Sequence, residues 1–128
     1  MNILVIPSWY PNGKDKLMGI YHKEFCEALA IIKNVTVNML FIERERLNNP
    51  IKFLFMPKHK KLSEKNYHIY ITRMLNTERL SYKWQMNRYV KVLTKAFKKY
   101  LKHHPKPDII HAMVTLPAGY AACVLGKK

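Results

Sequence analysis

The sequence predicts an α/β fold built on a doubly wound parallel sheet. Three observations carry that prediction: continuous apolar runs of the kind buried on both faces of a sheet, helical periodicity between them, and the alternation of the two along 128 residues. A chain of this length is one domain's worth. Its 48% apolar and 24% charged residues supply one buried core and exclude disorder for most of the chain.

Ile3-Leu4-Val5-Ile6, bounded by Pro7, reads as the first strand. A turn-rich loop follows, from Pro7-Ser8-Trp9-Tyr10-Pro11 to Gly19. Tyr21, Phe25, Leu29 and Ile32 then recur at three and four, which predicts an amphipathic helix from about Ile20 to Ile32. Val35 to Ile42 is a second strand, completing a βαβ unit with a right-handed crossover. Glu43 to Asn66 mixes charges with an apolar cluster and reads as an excursion from the sheet, with no fold of its own predicted. Tyr67 to Thr72 alternates like a third strand. Tyr82, Met86, Tyr89, Val90, Leu93, Ala96, Phe97, Tyr100 and Leu101 form the stripe of a long helix that ends before Pro105. Asp108 to His111 is a fourth strand, and Thr115 is expected to cap a final helix with Pro117 in its first turn.

In the common strand order 3-2-1-4, the loops after the first and fourth strands become neighbours at the topological switch point, where ligands bind. Those loops are Pro7 to Gly19 and Ala112 to Leu116. Architecture thus nominates a site before any motif is considered.

The charge is lopsided. There are 23 Lys and Arg against 8 Asp and Glu, giving +15, and the stretch from Lys52 to Lys106 carries +13 of it. Lys58, Lys60 and Lys61 lie beside the apolar Phe53, Leu54, Phe55 and Met56, and Lys91, Lys95, Lys98 and Lys102 share one face of the long helix. A basic and apolar surface suits an anionic membrane; the same field attracts nucleic-acid phosphates, and a solvated lysine-rich face is the plain alternative. Adjacency of the apolar and lysine clusters favours the membrane, and none of the usual nucleic-acid-binding patterns is present. Cys26 and Cys123 are 97 positions apart with no zinc spacing, which fits a reduced intracellular chain with no metal. The N-terminus has no basic segment before its short apolar run, against a signal peptide. Ile109 to Gly126 contains 18 residues without formal charge, but His111, Thr115, Pro117 and Gly119 break it into strand, turn and helix rather than a membrane span.

There is no Walker loop, nucleophile elbow, metalloprotease motif or carboxylate pair. Gly19 before a helix admits a phosphate to the free N–H groups and the positive dipole end, or is simply a turn residue. Trp9 and Tyr10 read equally as loop anchors or sugar-stacking platforms, and His111 as a core histidine or a site residue. His103-His104 makes no metal ligand set.

Taken together, Ile3-Leu4-Val5-Ile6-Pro7-Ser8-Trp9-Tyr10-Pro11, Gly19-Ile20-Tyr21-His22-Lys23-Glu24, and Pro107-Asp108-Ile109-Ile110-His111-Ala112 with Leu116-Pro117-Ala118-Gly119-Tyr120-Ala121-Ala122 resemble the N-terminal domain of family 4 glycosyltransferases (glycosyl transferase group 1), which have the GT-B fold. Where family members often have two glycines this chain has Met18-Gly19, and where their fourth strand commonly ends His-x-His it has His111-Ala112-Met113. The resemblance implies a retaining enzyme of two Rossmann-like domains, one for the acceptor and one for the nucleotide sugar, with transfer between them and no further cofactor. Gly19 would face the donor diphosphate, and Ser8, Trp9, Tyr10, His111 and Thr115 would line the acceptor cleft. It also implies a membrane-linked or polysaccharide acceptor and a cytoplasmic, peripheral location at the inner membrane face.

Against a two-domain length of about 350 to 400 residues, residues 1–128 are expected to be an incomplete acceptor domain without the nucleotide-sugar half, inactive alone. A bare edge at Asp108 to His111 predicts a homodimer or aggregation. The rival expectation is a non-enzymatic basic module that holds nucleic acid or an anionic surface.

Overall fold

The first apolar run forms β1 (Asn2–Ile6) of a five-stranded sheet in the computed structural model, which describes residues 1–11, 15–45, 54–77 and 81–127. Beside it lie β2 (Thr36–Glu45), β3 (His59–Ser63), β4 (His68–Leu75) and β5 (Ile109–Ala112), in the spatial order β3-β4-β2-β1-β5. The four predicted strands are parallel and stand in the predicted order 3-2-1-4. The fold is a Rossmann-like α/β fold.

Alternation within each central strand explains why their sequences are apolar throughout. Leu4, Ile6, Leu40, Ile42 and Met74 face the long helix α2 (Tyr82–Leu101) and the short terminal helix α3 (Tyr120–Gly126). Ile3, Val5, Val37, Met39, Ile69 and Ile71 point to the other side, where Cys26 of α1 (Ile20–Ala30) joins the same cluster. Helices thus cover both faces, as the doubly wound class requires.

Four elements depart from expectation. The excursion from Glu43 to Asn66 contains β3, antiparallel to β4 with Lys61 opposite Tyr70. Its His59-Lys60-Lys61-Leu62-Ser63 sequence lacks an apolar face because an edge strand needs none, and lysines there discourage pairing with another chain. Residues 46–53 of the excursion, Phe53 among them, lie outside the described residues. Strand β2 runs on to Glu45 because Glu43 pairs across the ladder with Arg73, at 2.6 Å, so the charges extend the strand instead of ending it.

The buried stripe of α1 is also one residue away from the predicted one. His22 and Cys26 are buried, Phe25 and Leu29 half-buried, and Tyr21 and Ile32 exposed. Thr115 caps no helix: Leu116 is extended, and α3 starts at Tyr120 with Gly119 as its N-cap and no side-chain cap. Ala118 and Ala121 are buried as expected, and a Cβ on Gly119 would lie 3.0 Å from the Val114 carbonyl. Among the described residues, no helix is long and apolar enough to cross a membrane.

Candidate functional site

The two nominated loops meet. Leaving β1, the chain passes Ser8, whose Oγ donates to the Leu116 carbonyl at 3.5 Å, and Met113 N–H donates to the Ile6 carbonyl at 3.2 Å. Residues 108 apart are thereby joined at the C-terminal ends of neighbouring parallel strands. The sheet alone could not do this without the register that sets Ile6 beside Ala112.

Trp9 is the common wall of two cavities at this rim. One of about 260 Å³ lies between Trp9, Leu116, Pro117 and the first two turns of α2, lined by Tyr82, Gln85 and Tyr89. The other, about 190 Å³, lies between Trp9, Ser8, Tyr10, Met18 and the end of β2. Arg44 lines both. In the larger cavity's walls, Gln85 Nε2 and the Tyr89 hydroxyl are buried with no hydrogen-bond partner among the described residues. Gln85 is oriented by its other end, where Oε1 accepts from Thr77 N at 2.9 Å. Burial pushes the Tyr89 phenol well above its ordinary range, and the nearby Arg44 charge pulls the other way. The phenol therefore keeps its proton and offers both a donor and an acceptor.

Of the residues nominated from the sequence, Ser8, Trp9 and Tyr10 come together. Their roles differ. Trp9 is 38% exposed, with its ring stacked at 6.5 Å on His22. Tyr10 is buried, its hydroxyl donating to Glu64 at 3.2 Å and lying 3.0 Å from the Tyr67 hydroxyl, so it anchors the loop to the β3–β4 connection. His111 points the other way: its ring stacks on Phe25 at 4.9 Å beneath α1, and it lines neither cavity. Thr115 is exposed and lines neither.

Gly19 is the N-cap of α1 with φ 71°, and a Cβ there would sit 2.8 Å from the Trp9 carbonyl. Glycine is required because the Trp9 backbone packs directly on it. Upstream, Asp15 Oδ1 accepts from the N–H groups of Leu17 and Met18, both at 3.0 Å, and so shapes the approach to the helix.

Sequence reasoning missed Arg44, Gln85, Tyr89 and His22. For Arg44 a signal existed: Glu43-Arg44-Glu45 continues the alternation of β2, which carries Arg44 to the α2 side at the strand's functional end. Gln85 and Tyr89 are four apart on the buried stripe of α2, where a polar residue amid apolar ones is the signal. His22 is fully buried between the rings of Trp9 and Tyr21, and burial lowers its pKa.

The lysines predicted as an anionic-surface contact, Lys58, Lys60, Lys61, Lys91, Lys95, Lys98 and Lys102, are all exposed. Phe55 is 85% exposed beside them in sequence. Among the described residues, no group of three His, Cys, Asp or Glu could hold a metal ion.

The fold and the rim together define a class: a Rossmann-like domain with a polar and aromatic cleft at its switch point. No protein-family model matches the chain, and no curated protein matches it in sequence.

Proposed function

We propose that this chain is the acceptor-side domain of a retaining glycosyltransferase of the family 4 type. It would act on a membrane-linked or polysaccharide acceptor, whose terminal sugar lies in the cavity between Trp9 and α2. The observation that carries this reading is that cavity's composition. Three aromatic residues, Trp9, Tyr82 and Tyr89, line it together with Gln85, and the Tyr89 hydroxyl and Gln85 Nε2 are buried with no partner among the described residues. A saccharide offers both complements, since its C–H faces suit an aromatic ring and its hydroxyls satisfy an amide N–H and a phenol.

In this reading a nucleotide-sugar donor approaches from the solvent side of the same rim on a second domain, its diphosphate near Gly19 and the start of α1. The membrane contact is the lysine ridge of α2, opposite its buried stripe, together with the exposed Leu54 and Phe55.

The test uses the indole N–H resonances of the two tryptophans. A panel of neutral oligosaccharides and glycolipid headgroups is titrated into the chain, and binding at the rim shifts the Trp9 indole and leaves Trp84 unmoved. Gln85→Ala weakens that response by about tenfold, the loss of one buried hydrogen bond. A panel that never moves Trp9, or that moves both indoles alike, overturns the reading.

The rival reading, a basic module for nucleic acid, rests on the same α2 ridge. It predicts that duplex DNA outcompetes anionic liposomes at matched salt, with a steep salt slope.

A further inference from the structure

The last two turns of α2 border a second concavity, remote along the helix from the Trp9 cavity, which uses its first two turns. This groove, about 340 Å³, runs between the β3–β4 hairpin and the C-terminal end of α2. His59 and Lys61 reach it from β3, Lys99 from α2, and His103 and His104 from the turn beyond, while Lys60 borders it but alternates toward the other face of the hairpin, where it lines a separate cavity with Leu62 and Ile71.

Among the described residues, no carboxylate lines the groove. The ion pairs among the described residues involve Lys23 and Arg73, not these lysines. The floor is aromatic and ordered. The Tyr70 hydroxyl lies 2.7 Å from His104 Nε2, the His104 ring stacks on Tyr100 at 4.6 Å, and Lys61 Nζ stands 5.4 Å over the Tyr70 ring. Two residues along the same hairpin, His59 Nδ1 lies 3.1 Å from Thr72 Oγ1.

Concentrated cations in a concave site with fixed imidazole and hydroxyl groups are what a multiply charged oxyanion requires. The histidines of the groove respond to burial and to the cations around them. Burial first, and then Lys99 and Lys58 for His59, or Lys61, His103 and His68 for His104, hold both imidazoles below their ordinary range. The exposed lysine ridge on the far side of α2 has no such enclosure, and a volume near the lower end of small-molecule sites favours a compact ligand over a polymer.

We propose that this groove is a phosphate-binding site, taking a phosphomonoester or diphosphate group between Lys61 and Lys99 over the Tyr70–His104 pair. It is independent of the transferase reading and stands or falls separately from it. Two sources supply that chemistry, a soluble phosphorylated metabolite and the headgroup of a phosphomonoester lipid.

The test follows amide and imidazole resonances of the whole chain at constant ionic strength, with sodium chloride as the balance. Sodium pyrophosphate and glycerol 3-phosphate are the soluble probes. Vesicles containing phosphatidic acid are the lipid probe, with phosphatidylglycerol vesicles of equal surface charge as their control. A saturable shift at Lys61, Tyr70, Lys99 and His104 with the soluble probes identifies a soluble ligand. The same shift only with phosphatidic acid identifies the headgroup.

The double variant Lys61→Gln/Lys99→Gln weakens the soluble response at least about tenfold. Lys91→Gln/Lys95→Gln has the same net charge and leaves that response unchanged. All four are exposed lysines, so folding is not at stake. The proposal is overturned if no probe produces a saturable shift in the groove, if both double variants weaken the soluble response equally, or if the two vesicle types act alike without a soluble response.

Discussion

Gly19 and His22 set the shape of the candidate rim from beneath. Gly19 has a left-handed backbone and contacts the Trp9 carbonyl, so Gly19→Ala combines conformational strain with a clash against backbone that cannot swing away. We expect a loss of about 2 kcal/mol or more in urea unfolding, accompanied by a shift of the Trp9 indole resonance. His22 is buried with both ring nitrogens unpaired among the described residues. Its folded pKa lies below the ordinary 6.5, so below pH 6.5 the unfolded state binds a proton that the folded state resists. Its contribution is therefore intact above pH 6.5 and is lost as pH falls from there. His59 and His104 are shifted in the same direction, also by burial first. The chain should lose stability between pH 7 and pH 5, and His22→Leu should reduce that slope without abolishing it. Unfolding curves across this range check the point, and an unchanged slope would remove His22 from the account.

At the scale of elements, α2 serves the larger Trp9 cavity, the groove beside β3 and β4, and the core between them. Ser81 begins the helix, its Oγ accepting from Trp84 N–H at 3.3 Å, and Lys98 and Lys99 occupy the last turn, where cations oppose the negative dipole end. Leu93, midway along and fully buried, holds the helix on the sheet. Leu93→Ala is expected to cost about 3 kcal/mol, within the usual range for buried leucines, whereas Lys95→Gln on the exposed face should change stability by under about 0.5 kcal/mol. Thermal or urea unfolding of the pair measures the contrast. The periodicity of α2 was readable because its buried stripe is almost wholly apolar. That of α1 was displaced because His22 and Cys26 occupy the core while Tyr21 and Ile32 face solvent. Hydropathy ranks Tyr21 and Ile32 above His22, and a buried histidine beside a small buried thiol leaves the true face with a weaker apolar stripe than the exposed one.

Across the whole molecule, the two sheet edges differ. The β3 edge is defended by lysines, while β5 at the other edge is short and carries Ile109, 43% exposed. An unpaired edge of this kind recruits another strand. Concentration-dependent association is expected in sizing chromatography, and Ile109→Lys should shift the chain toward monomer. A sharp monomer peak for the unaltered chain at high concentration would refute this.

Of the candidate rim, the positions of Ser8, Trp9 and the Leu116 loop were legible. Strand order follows from the parallel βαβ pattern, and parallel strands bring their C-terminal loops to one side. The local sequence by itself determined the four apolar strands, the long helix and the concentration of positive charge, because each depends on neighbours within a few residues. Only the tertiary structure decided that His111 turns under α1, that Arg44 and Gln85 join Trp9, and that Lys61 and Lys99 face one groove. Which way a side chain points at the end of a strand, and what stands opposite it, depends on register and packing between segments far apart in the chain, and periodicity within one segment holds no record of that.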